Sequence, residues 1–216
     1  MKLSVLIGTC DTYEPLWEPF QITFDRYWKF PTQNLFVGET KVIPNYTDTR
    51  FDTINLGKKS WGSRMRDGVI ACKEEYVFFI LEDYFFNYSY DETQMNTWIE
   101  DMKKYDMNRL QVCGPPGEQR YMDKENCPYK VFTPNSRYII SVQPSIWKKS
   151  YLLEVLKEEY SPWDFELKGS SLLLGTDHNT YADASIGLTY FNAVRIGFKK
   201  SVGWEAFRDS EGLKDF

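Results

Sequence analysis

At 216 residues the chain exceeds the usual size of one domain yet stays within the ordinary range of a single α/β unit, and its 42% apolar residues suffice for a sizeable core. The formal net charge of −5, with no stretch that interleaves clustered Lys and Arg with rings, excludes a nucleic-acid-binding footprint. The longest apolar run, Tyr76–Leu81, falls far short of the ~20 residues that cross a bilayer, which leaves only peripheral association with a membrane open. The N-terminal segment is too short in its apolar part for a signal peptide and reads as a first strand. Cys10, Cys72, Cys113 and Cys127 are scattered, with no Cys-x-x-Cys pair, so zinc-ribbon and thioredoxin-type chemistry are not expected. Free thiols in a reducing, cytoplasmic setting are.

Strand and helix signals alternate, the pattern of an α/β domain, and no repeat or linker divides residues 1–216. The chain reads as one unit, with the option that it is a module of a longer protein. Leu3–Gly8 is a buried strand ending at a glycine. Trp17, Phe20, Phe24 and Trp28 then recur at helical spacing, with Pro15 suited to a first turn. Asn34–Gly38 is a second strand and Phe51–Leu56 a weaker third. Ser60 is an N-cap type before a helix that carries Trp61, Met65, Val69 and Cys72 on one face. Tyr76–Leu81, apolar at every position, belongs at the sheet centre. Asp91-x-x-Gln94 has the form of a capping box before Met95, Trp98, Ile99 and Met102. Beyond it, Arg109–Cys113 reads as a strand broken by Gly114-Pro115-Pro116-Gly117, then a long loop to about Asn135. Arg137–Gln143 alternates like a strand, and Ser145 is expected to cap a helix bearing Trp147, Tyr151, Leu152, Val155 and Leu156. Ser161-Pro162 opens a short helix, and Ile186–Val194 is a late strand.

Three constellations carry chemistry. Gly8-Thr9-Cys10-Asp11 ends the first strand with short polar groups, at the edge where open α/β sheets bind ligands; the same residues would also serve as an ordinary turn and helix cap. Lys58-Lys59-Ser60 and Arg64 bring cations to a helix N-terminus, which attracts anions such as a diphosphate; Arg66 reads as solvated. Glu82-Asp83 follows a wholly apolar strand. Two crowded carboxylates at such an edge suit Mg²⁺ or Mn²⁺ bridging to phosphate oxygens, and otherwise begin a solvated loop.

This order resembles the nucleotide-binding half of GT-A-type glycosyltransferases, especially small bacterial and viral glycosyltransferase-like proteins. The resemblance covers about residues 3–90 well and the remainder loosely. It implies a Rossmann-type, mainly parallel mixed sheet flanked by helices, and a nucleoside-diphosphate sugar as donor with a glycan or glycoconjugate as acceptor. Thr9 and Asp11 would lie at the base, Lys59 and Arg64 near the diphosphate, and Asp83 would be the metal-side carboxylate with Glu82 beside it. Leu81-Glu82-Asp83 lacks the first Asp of the family's Asp-x-Asp motif, which leaves a metal-independent or binding-only variant open. Ser161-Pro162-Trp163-Asp164-Phe165-Glu166-Leu167 is similar to the region that supplies the general base of inverting members. That makes Asp164 the base and Glu166 its understudy, although Ser161-x-x-Asp164 is also a near capping box. Trp163 would form an acceptor platform or belong to the core, and His178 would be a late metal ligand or a solvated loop residue. Arg195 and Lys199-Lys200 could approach phosphates. A catalytically silent sugar- or nucleotide-binding module is the alternative. A nucleotidyltransferase would need a glycine-rich loop that Gly8-Thr9-Cys10-Asp11 does not provide.

Overall fold

The computed structural model describes residues 3–89, 92–114, 121–185, 189–195 and 198–216. β1 (Leu3–Gly8) is buried throughout, and a 3-10 helix over Asp11–Leu16, holding Pro15, leads into α1 (Trp17–Tyr27). β2 (Gln33–Gly38), β3 (Asp52–Asn55), α2 (Trp61–Ala71) and β4 (Tyr76–Leu81) follow. A turn at Glu82-Asp83 leads into β5 (Tyr84–Phe86), then α3 (Glu92–Lys104) and β6 (Arg109–Gln111). β7 (Tyr121–Asp123), β8 (Lys130–Phe132), β9 (Ser145–Lys148), α4 (Lys149–Val155) and α5 (Pro162–Leu172) come next. β10 (Thr180–Ala182), β11 (Tyr190–Asn192), β12 (Val194–Arg195), β13 (Lys199–Lys200) and α6 (Trp204–Glu211) complete the chain.

Nine strands form one sheet in the order β3-β2-β1-β4-β9-β6-β10-β8-β7. The first four run parallel, β9 runs against both β4 and β6, and β6 and β10 therefore point the same way as β4. The chain leaves β1 toward β2 and β3 on one side and returns to β4 on the other. The strand order thus reverses between β1 and β4, where open α/β sheets leave a crevice beyond their carboxyl ends.

Alternation along each strand builds two cores. Val5, Ile7, Phe78 and Ile80 face α1 and α3, with Trp28 stacked on Phe78 at 5.0 Å between ring centres. Leu6, Val77 and Phe79 face α2, α4 and Phe165 of α5. Both faces being covered is why β1 and β4 read as unbroken apolar runs. The amino end of α2 is drawn tightly to its neighbours. A Cβ on Gly62 would stand 2.1 Å from the Lys157 carbonyl oxygen, and one on Gly8 2.5 Å from Met65 Sδ. Only glycine lets the helix tip meet β1 and residues 157–160 so closely.

The first half follows the sequence expectation, and the second half departs from it. Arg137–Gln143 is not a strand. Its backbone is held by side chains instead: Arg109 donates to the Ile139 carbonyl at 2.8 Å, Ser170 bonds both polar groups of Ile140, and Val142 N–H donates to Glu166. The strand is Ser145–Lys148, one step later, so Ser145 opens a β-strand rather than capping a helix. The loop expected up to Asn135 contains the β7–β8 hairpin at the sheet edge. Asp91, Pro115–Gly117 and Ile186 lie outside the described residues, and with them parts of the expected capping box, chain break and late strand. All four cysteines carry free thiols. Among the described residues, no helix is long and apolar enough to cross a membrane.

Candidate active site

At the crevice between β1 and β4, three parallel strands end in polar residues side by side: Thr9 after β1, Glu39 after β2 and Glu82 after β4. A hydrogen-bond chain ties them into the core. Trp17 Nε1 donates to Thr9 Oγ1 at 2.8 Å, and that hydroxyl donates to Glu82 Oε1 at 3.0 Å. Arg64, on the second turn of α2 and 3% exposed, reaches back to the same edge. One terminal nitrogen donates to Glu39 Oε1 at 2.7 Å and to the Lys59 carbonyl at 2.7 Å. Thr9, Glu39, Lys59, Arg64, Glu82 and Asp83 all line one cleft of about 360 Å³, roofed by Trp61 and Trp163. Lys59, exposed, is paired with Asp67 at 2.8 Å.

A second cleft, about 380 Å³, opens on the far side of the acidic turn and shares Tyr13, Leu81, Asp83, Pro162 and Trp163 with the first. Its other walls include Glu166, Asn192 and Arg195. The late segment is fastened here by β11 pairing with β5 and by Ala193 N–H donating to the Asp83 carbonyl at 2.8 Å.

Burial sets the protonation of the acids. Desolvation, with Asp83 alongside, holds the Glu82 carboxyl well above the usual range despite the Thr9 hydrogen bond and the Arg64 charge. Burial pushes Asp83 up to about 7, with its own backbone N–H and Arg195 pulling the other way. Burial also raises Glu166, whose Oε1 accepts from Val142 N–H at 3.0 Å. Asp164 differs on every count. It completes a capping box with Ser161, bonds Lys168 at 2.8 Å, and is held down at about 2 by those partners.

These shifts have opposite linkage signs. Asp11 and Asp164, both near 2, add stability that is lost as pH falls below the ordinary carboxylate range. Asp83, Glu82 and Glu166 keep protons in the folded chain that the unfolded chain releases, so their contribution is lost as pH rises from ~4 toward the folded value. The ligand-free protein is expected to melt at progressively lower temperature between about pH 5 and about pH 7.5, and Asp83→Asn to flatten that slope. Equal slopes in a melting series of the two proteins would remove Asp83 from the account.

Asp83 Oδ1 is buried and, among the described residues, has no hydrogen-bond partner. No group of three or more His, Cys, Asp or Glu is assembled into a ligand cage among those residues. An orphaned carboxylate oxygen without a cage around it is compatible only with an ion completed by ligand oxygens, since Mg²⁺ sites commonly take one or two carboxylates plus phosphate oxygens.

No protein-family model and no curated protein matches the sequence. Solved structures do match the fold. S. aureus TarS, residues 1–349 in complex with UDP-GlcNAc, superposes with a TM-score of 0.60 at 14% identity over 91% of this chain and 60% of that one. The mannosyltransferase PcManGT of Pyrobaculum calidifontis, in complex with GDP-Man and Mn²⁺, gives 0.59 at 11% identity over 96% and 59%. The fold is that of GT-A-type glycosyltransferases. A 4-diphosphocytidyl-2C-methyl-D-erythritol synthase from Anaerococcus prevotii has a related fold, at a TM-score of 0.54 and 14% identity over 97% and 94%. The chain spans about 60% of the TarS chain.

On this GT-A-type frame, Thr9, Lys59, Arg64, Glu82 and Asp83 meet in one cleft, and Glu166 lies in the next. Two expected residues point elsewhere. Asp11 accepts from the Thr40 and Lys41 N–H groups at 3.0 Å each, so it pins the loop after β2 and lines neither cleft. Asp164 likewise lines neither, being spent on the cap and Lys168. Arg66, expected to be solvated, is half-buried and also donates to the Leu156 carbonyl at 3.0 Å, closing the end of α4. His178 is neither solvated nor near the acids. It is 4% exposed and precedes β10, three strands from β4 in the sheet. Glu39 escaped the sequence reading, although a carboxylate following Val37-Gly38 at the end of a parallel strand is the same signal as Glu82.

Proposed function

We propose that the chain transfers a sugar from a nucleoside-diphosphate sugar to a saccharide hydroxyl, with inversion at the anomeric carbon. One observation carries this reading: two clefts share the Asp83–Trp163 wall, the first bearing Lys59 and Arg64, the second a half-buried carboxylate, Glu166. The nucleotide occupies the first cleft, with Lys59 and Arg64 offsetting diphosphate charge. The acceptor enters the second. Its hydroxyl oxygen bonds to the anomeric carbon as the bond from that carbon to the diphosphate oxygen breaks, and Glu166 takes the hydroxyl proton. A carboxylate whose affinity for protons is raised by burial is a better base than one held at about 2, which favours Glu166 over Asp164. A divalent ion held by Asp83 and the diphosphate would act as a Lewis acid on the leaving nucleotide.

Two other readings rest on particular observations. The Thr9 hydroxyl and Arg64 are largely engaged with protein partners, as in a module that binds without turning over. The synthase neighbour, matched over nearly both lengths, favours nucleotidyl transfer. Against that stands Gly8-Thr9-Cys10-Asp11, which is not a glycine-rich phosphate loop.

Melting the protein with UDP- and GDP-sugars and with nucleoside triphosphates, with and without Mn²⁺, while measuring free nucleoside diphosphate, separates the three. A ligand at about 100 times its Kd adds about 2.7 kcal/mol to native stability. The transferase reading expects that stabilisation together with slow release of nucleoside diphosphate. Stabilisation without release points to the silent module, and response to nucleoside triphosphates alone to nucleotidyl transfer.

A further inference from the structure

The second cleft contains more polar chemistry than proton transfer needs. One of its acceptor oxygens, Asn192 Oδ1, is buried and has no hydrogen-bond partner among the described residues. Burying an oxygen without a donor is costly, and a ligand hydroxyl removes the cost. Arg195, on the same wall, is exposed and has no ion-pair partner among the described residues. Elsewhere on this late segment Lys200 pairs with Asp215 at 2.6 Å and Arg208 with Asp209 at 2.7 Å, while Lys199, opposite Arg195 across the β12–β13 pair, is outside the lining of this cleft. Arg195 is placed deliberately by local structure. β12 pairs with β13, Ser201 N–H donates to the Ala193 carbonyl, and β11 is anchored on β5 just after the acidic turn.

We infer that the second cleft takes a polyhydroxylated group carrying a negative charge, and that Arg195 selects for the charge while Asn192 accepts from a hydroxyl. This rests on the transferase reading for its meaning, since it makes the acceptor an anionic saccharide or polyol. The chemistry shared by the candidate ligands is an oxyanion, phosphate or carboxylate, beside two or more hydroxyls. A guanidinium meets either oxyanion through two parallel N–H groups.

The test is direct binding, followed by saturation-transfer NMR titration of the full chain. Sorbitol 6-phosphate is compared with sorbitol, and glucuronate with glucose, so the two arms distinguish phosphate from carboxylate. At least one anionic probe is expected to bind about fivefold tighter than its neutral counterpart, the upper end of what a solvent-accessible ion pair contributes. Arg195→Gln should abolish that preference while leaving affinity for the neutral probe, for UDP, and the melting temperature unchanged. Asn192→Ala should weaken neutral and anionic probes alike. The inference is overturned if charged and neutral probes bind equally, or if the preference survives in Arg195→Gln, which would assign the anion to Lys59 and Arg64. If the Arg195-dependent preference is present but UDP does not bind the wild-type chain, this cleft assignment stands and the transferase reading falls.

Discussion

Glu166→Gln is expected to lower the transfer rate by about 10²- to 10⁴-fold, the range a positioned general base contributes. The amide keeps the oxygen that accepts from Val142 N–H, so the segment at residues 137–143 stays docked and the melting temperature holds. Nucleotide-sugar affinity should also hold, because Glu166 lines the second cleft and not the first. Asp164→Asn provides the contrast on the same helix. It weakens the capping box and the Lys168 pair, costing up to about 1 kcal/mol of stability, and leaves turnover nearly intact. Single-turnover rates beside urea melts for the two variants decide it. If Asp164→Asn is the inactive protein and Glu166→Gln the active one, the roles proposed for them are reversed.

Arg64→Met is expected to cost about 3 kcal/mol in urea denaturation, at the low end for breaking a buried pair because Glu39 is 23% exposed. The loss has three parts: Glu39 without its cation, the Lys59 carbonyl without its donor, and a weaker one from the longer 3.5 Å contact to the Thr9 carbonyl. Adding Glu39→Gln should recover part of the deficit, the signature of direct coupling between the two sites. UDP binding should be weakened in Arg64→Met and stay weakened in the double variant, since Lys59 alone then faces the diphosphate. A cost below about 1 kcal/mol would class the pair with ordinary surface bridges.

How much of this was readable beforehand depended on how local each determinant is. Tyr76–Leu81 announces itself because six successive apolar residues suit a strand covered on both faces. Ser60 marks the start of α2 through its own hydroxyl, which accepts from Ser63 N–H three residues on. The region from 137 to 148 was misjudged because its partners are remote in sequence: Arg109 and Ser170 satisfy the backbone that a neighbouring strand would otherwise satisfy. Alternation of Ile139, Ser141 and Gln143 cannot reveal that. Glu39 was overlooked since its significance depends on β2 lying beside β1 and on Arg64 reaching across. Asp164 and Glu166 illustrate the finer limit. Both sit near the start of one helix, and only the packing of residues 137–143 against α5 buries the second while the first faces Lys168.

Asp83 belongs to the walls of both clefts, and its carbonyl holds the strand that carries Asn192. A ligand on one side is therefore expected to change the electrostatic surroundings of the other. Linkage makes any such coupling reciprocal: the factor by which a ligand in one cleft changes affinity in the other equals the factor in the reverse direction. Under the transferase reading, donor and acceptor would then meet across this one turn, and titrating each ligand in the presence of the other measures whether it couples them.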